Sequence, residues 1–248
     1  MIALLITFLA GFSVMLGAVI VRAMHDTERV EHFSMAMALG ALASLLVFDI
    51  YADIQEEVIP TFGYWITLGF CLCGIVLLGV LDKISPEHAH HQDTPETHDH
   101  ENAEHIGLIA AAAILIHNFV EGMSVYSIAM LNPRDGLLLA IGISLHNIPM
   151  GMLIFSALRE GHKGRYEKLV VMGIVTISTL LGGLAMFAVS SYMTPQIVGF
   201  LLCIATGMIF YIIFEELLPH VKNTKDKVMN TAGIIIGIAL VFLSSLIG

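Results

Sequence analysis

Long apolar stretches separated by short polar clusters dominate the sequence. Eight of them, at 2–22, 34–58, 62–81, 106–130, 136–158, 166–192, 196–218 and 228–247, are long enough to matter. A helix needs roughly 20 mainly apolar residues to cross a bilayer. Lipid offers no hydrogen-bond partners, so a chain crosses it as helices or as a closed barrel. These stretches are too long and too continuously apolar for barrel strands. The pattern predicts an all-α polytopic membrane protein with eight transmembrane helices, residues 1–248 forming a single transmembrane domain.

Composition agrees with the pattern. Hydrophobic residues make up 57% of the chain, charged residues 13%, and mean hydropathy is +0.85, whereas about a quarter of a soluble domain is charged. The formal charge of −10 is local in origin, because seven of the 21 acidic residues fall in 82–104. Cys71, Cys73 and Cys203 lie inside apolar stretches and read as small hydrophobes rather than as a redox or thiolate site. Residues 1–21 contain no Lys or Arg, so the basic leader of a secretory signal is missing. The first stretch therefore reads as a retained span with its N-terminus outside.

Eight spans threaded from an external N-terminus place ten of the eleven basic residues in inside loops, with Arg134 alone outside. Cytoplasmic loops favour Lys and Arg, so the distribution predicts a cell-membrane protein with both termini outside. The segment 82–105 then lies in the cytoplasm. It reads DKISPEHAHHQDTPETHDHENAEH, with histidines at 88, 90, 91, 98, 100 and 105. Its prolines, polarity and lack of apolar period predict a disordered loop. Imidazoles among carboxylates on such a chain suit weak binding of zinc-like ions, which makes His88, His90, His91, His98 and His100 candidate loop ligands.

A short repeat carries the most chemistry. HNFVEG at 117–122 and HNIPMG at 146–151 each sit near the middle of a span, and the connection NPRDG at 132–136 is tight. The two spans should be antiparallel neighbours whose motifs meet at one depth, as two-fold-related halves with a midplane site would. Ionisable groups at mid-bilayer cost several kcal/mol and usually face a polar pathway. His117 and Glu121, four residues apart, project from one helix face, with Asn118 beside them; His146 and Asn147 repeat the arrangement opposite. Imidazole plus carboxylate suits Zn²⁺ and its first-row neighbours. Gly122 and Gly151 would let helices approach closely, and Pro149 frees the carbonyl of Leu145 and predicts a local bend.

These two motifs resemble the paired HNxPEG-type motifs in the fourth and fifth spans of the ZIP (Zrt-, Irt-like) metal transporters. The resemblance extends to eight spans in a 3+2+3 bundle, external termini, a His-rich cytoplasmic loop and GMIFYIIFEELLPH at the end of span 7. It implies uptake of Zn²⁺ into the cytoplasm, with Cd²⁺, Fe²⁺ or Mn²⁺ as other substrates, often by a homodimer. Two positions depart from the motif: Met150 replaces the fifth-span glutamate and Val120 the fourth-span proline. Family members with two adjacent ions bridge them with that glutamate and add a sixth-span acid, which this chain also lacks. A neutral thioether cannot bridge two cations, so His117, Asn118, Glu121, His146, Asn147 and Met150 read as a site for one ion.

Flanking residues outline a path. Asp49 and Asp53, toward the outer half of span 2, are entrance candidates; Glu215, Glu216 and His220, at the inner end of span 7, are exit candidates. The partners expected are the lipid bilayer, a divalent metal ion and a second copy of the chain, with no nucleic acid. Two other functions fit parts of the pattern. A membrane sensor that binds metal without transporting it suits Met150 and the loop. An intramembrane metallohydrolase would use His, Glu and metal to activate water, although no HExxH motif is present, so no enzyme is expected.

Overall fold

The computed structural model describes residues 1–24, 27–84, 95–161, 163–189, 194–224 and 226–247. Eight helices in it are long and apolar enough to span a membrane. They are α1 (Ile2–Ala23), α2 (His32–Phe62), α3 (Tyr64–Lys83), α4 (His105–Leu131), α5 (Pro133–Glu160), α6 (Arg165–Ala188), α7 (Gln196–Asn223) and α8 (Lys227–Leu246). The expected number of spans is therefore met, with ends shifted by a few residues, the largest shift being five at the end of α7. The chain is an all-α, multi-pass membrane protein.

The polar segment between α3 and α4 differs from its expectation. An α-helix runs Pro95–Leu131, so 95–104 is helical where a disordered loop was expected. The physical reason is local: proline suits the first helical turn, which has no use for its missing N–H. Residues 85–94, with His88, His90 and His91, lie outside the described residues, as do the side chains of His98 and His100.

Helix packing is organised about the α4/α5 pair. A single residue, Asn132, joins these helices; its side-chain oxygen accepts from the Arg134 N–H at 3.1 Å, and its amide donates to Asp135 at 2.7 Å. Pro133 follows at the first helical position, so the chain reverses at once and the two helices run antiparallel. Around them α1 packs on α5, α6 on α4, α8 on α2 and α3 on α7, while α2 and α8 also meet α5 and α7 meets α4. Exchanging α1 with α6, α2 with α7, α3 with α8 and α4 with α5 maps the α1/α5, α2/α8 and α2/α5 pairs onto α6/α4, α7/α3 and α7/α4. Each exchange swaps helices of opposite direction, so the implied two-fold axis lies in the membrane plane, with three helices on either side of the central two.

Backbone proximity holds the pairs together. A Cβ on Gly122 would fall on the Thr179 carbonyl of α6, and one on Gly182 of α6 would fall on the Phe119 carbonyl of α4. Gly17 of α1 and Gly151 of α5 meet the Ile148 and Val14 carbonyls in the same reciprocal way, and the α2/α8 and α3/α7 pairs repeat the device. Since lipid tails are as apolar as leucine, close van der Waals contact between small residues drives such association. The glycine roles expected at 122 and 151 are thus visible, with the partners being α6 and α1 rather than each other's helix.

Two symmetry-related helices leave the α register. α2 winds as π-helix over Leu46–Ile50 and Ile54–Val58, and α7 does so over Ile212–Leu217. Single π turns often mark functional sites. The α5 helix, by contrast, continues unbroken through Pro149 from Pro133 to Glu160.

Candidate metal site

The motif residues of α4 and α5 converge. Glu121 Oε1 lies 3.0 Å from His117 Nε2 on its own helix and 2.7 Å from His146 Nε2 across the pair. One carboxylate oxygen is thus shared by two imidazoles, whose ring centres stand 6.2 Å apart. Ligand-type atoms of all three residues lie within 4.8 Å of one another. The i, i+4 spacing places His117 and Glu121 on one face, and the one-residue reversal at Asn132 sets His146 at the same depth.

The surroundings are dry and under-bonded. His117 and His146 are 3% and 2% exposed, and Asn118 and Asn147 are fully buried. Among the described residues, both amide atoms of Asn118, Oδ1 of Asn147, Oε2 of Glu121 and Nδ1 of both histidines have no hydrogen-bond partner. The Asn147 amide donates only a long bond, 3.4 Å, to the Ala10 carbonyl. Buried polar atoms are normally paired, because an orphaned one costs about 1–3 kcal/mol. His117, Glu121 and His146 converge with under-bonded atoms, beside under-bonded Asn118 and Asn147 of the same motifs, and such N and O donors of intermediate softness have the chemistry of a cation site. Met150 is fully buried in the main apolar core one turn beyond His146.

A second cluster forms between α3, α4 and α7. His105 Nε2 pairs with Asp82 Oδ1, the Tyr211 hydroxyl donates to Asp82 Oδ2 at 2.8 Å, and Glu216 completes a group of metal-ligand type. Sequence reading placed Asp82 and His105 in the loop. The signal that could have found them is an acid and a histidine each sitting at the boundary of an apolar run. The exit candidates divide: Glu216 joins this cluster, Glu215 is exposed, and the His220 ring meets His32 of α2 at 2.9 Å. Of the entrance candidates, Asp53 is exposed between the two π segments of α2, and the Asp49 side chain lies outside the described residues.

The sequence matches the family model of the ZIP zinc transporters over residues 85–245. This chain belongs to the ZIP zinc transporter family. It is similar along nearly its whole length to two zinc transporters of the ZupT type. With that of Nitratidesulfovibrio vulgaris it shares 30% identity, covering 98% of this chain and 95% of the relative. With that of Chlorobium luteolum it shares 32%, covering 99% and 97%. The family is one of transporters, not enzymes, which sets aside the metallohydrolase reading. The matched region includes both halves of the His117–Glu121–His146 cluster and the Glu216 end of α7.

Proposed function

We propose that this protein carries zinc into the cytoplasm, one ion at a time, through the site formed by His117, Glu121 and His146. The observation that supports it best is the single carboxylate oxygen shared by two imidazoles from antiparallel helices. That geometry assembles two nitrogens and one oxygen around a point in a span's interior, with Asn118 and Asn147 in reserve. Such a donor set prefers Zn²⁺ and Cd²⁺ to oxygen-seeking Mg²⁺ or Ca²⁺; Fe²⁺ and Mn²⁺ are weaker competitors. With one carboxylate, a loaded site keeps a net charge of +1. Met150 adds none, so a second adjacent cation would meet uncompensated repulsion.

The path runs from Asp49 and Asp53, which concentrate cations at the outer face, to Asp82, His105 and Glu216 at the inner one. The basic residues support this orientation, since the helix ends bearing Arg22, Arg159, Arg165 and Lys222 share a side with Asp82 and Glu216. Loop histidines 88, 90, 91, 98 and 100 receive ions leaving there. Movement of one helix group past the other would alternate access.

Purified protein in zinc-free vesicles containing an internal zinc indicator tests this. Zinc should enter with the parent protein and should not with His117→Ala or His146→Ala. Absence of flux in the parent, or equal flux in both variants, would sink the proposal. Zinc binding without flux would instead favour the sensor.

A further inference from the structure

A basic pocket lies away from the metal path, on the outer surface of the bundle. The ends of α1 and α5 and the start of α6 enclose a cavity of about 270 Å³ lined by Arg22, Arg159, Arg165 and Lys168 over an apolar floor of Phe155 and Leu169. Its four cations come from three helices, and no carboxylate is among the described lining residues. A general bias of basic residues toward one membrane face accounts for their number but not for their convergence.

The pocket is also built. Arg159 is half-buried and its Nη1 donates to the Val21 carbonyl at 2.8 Å and to that of Met24 at 3.3 Å, tying α5 to the last turn of α1. Arg165 and Lys168 enter from the first turn of α6, one exposed and one half-buried. Beside them Tyr166, Leu169 and Val170 are 80%, 51% and 39% exposed, an apolar surface that leads from the pocket along α6. An occupant must therefore be anionic at one end and apolar at the other, and must sit at the depth where a span begins.

We propose that this pocket holds the phosphate of an anionic phospholipid, whose acyl chains lie along α6. Basic pockets between helices at the membrane surface take up anionic headgroups, and each basic side chain strengthens such attraction roughly fivefold. The site is independent of the metal reading and of the direction of transport.

Delipidated protein titrated with phosphatidylglycerol or phosphatidylcholine and examined by native mass spectrometry tests it. One phosphatidylglycerol should bind in clear preference to phosphatidylcholine. Arg165→Gln combined with Lys168→Gln should weaken it roughly 30-fold, as loss of two such charges requires. Arg165→Lys with Lys168→Arg should retain it, and Arg22→Gln, at an exposed position of the opposite wall, should weaken it about fivefold. Thermal unfolding in detergent shows whether each variant is folded. Equal binding of the two lipids, or undiminished binding in both Gln variants, would overturn the proposal. So would displacement of the lipid by millimolar inorganic phosphate, which would make the pocket a site for a soluble anion.

Discussion

Glu121→Gln removes one negative charge from the α4/α5 site and changes little else. Glutamine has the same length and keeps a carbonyl oxygen where Glu121 Oε1 now meets His117 at 3.0 Å and His146 at 2.7 Å. A divalent ion about 3 Å from a carboxylate gains roughly 11 kcal/mol of Coulomb energy at an effective dielectric constant of about 20. Most of that is offset, because the ion sheds water and the carboxylate is held out of it at a cost of several kcal/mol. If only a quarter survives, about 3 kcal/mol, zinc affinity falls roughly 150-fold on loss of the charge. Relieved of that desolvation cost, the metal-free variant should be no less stable than the parent. Competition against a zinc-binding dye in detergent measures the affinity, and thermal unfolding without metal measures the stability. An affinity within threefold of the parent, in a variant that unfolds normally, would show that zinc is not held by Glu121.

Three other outcomes follow from the packing and the clusters. Gly122→Ala drives a methyl group into the Thr179 carbonyl and should cost about 1–3 kcal/mol of stability, whereas Gly173→Ala, with open space around it, should cost nothing; chemical unfolding of the pair would expose any error. Met150→Glu buries a new carboxylate one turn from His146, at a cost of about 2.5–3.5 kcal/mol by insertion scales. The metal-free variant should unfold earlier, and saturating zinc should raise its midpoint further than it raises the parent's. If zinc stabilises the two equally, residue 150 faces away from the ion. Asp82→Asn leaves the Tyr211 hydroxyl a partner but removes the anion beside His105. Zinc binding at His117 should be unchanged while flux at saturating zinc falls, and equal flux in vesicles would remove Asp82 from the exit.

Much of this protein was legible in order along the chain. Eight apolar runs of span length leave few alternatives, because every backbone amide in lipid must be satisfied within its own helix. His117 and Glu121 lie four apart, and helical geometry alone puts them on one face. The tight NPRDG connection and the echo at His146 and Asn147 were enough to predict that both motifs meet at one depth. Charge distribution along the loops carried the expected orientation in the same one-dimensional way.

Tertiary structure decided what depends on distant segments. That one oxygen of Glu121 serves two imidazoles is a matter of ångströms between helices, which spacing within a helix does not determine. Asp82, His105, Tyr211 and Glu216 are drawn from three helices, and only their packing brings them into one cluster. It also separates Glu215 and His220 from that cluster, though both stand within four residues of Glu216. The glycines show the same division: their presence was plain, but each one's partner is a carbonyl on a helix dozens of residues away. Local periodicity specifies which faces are apolar, and close contact between backbones then selects which faces meet.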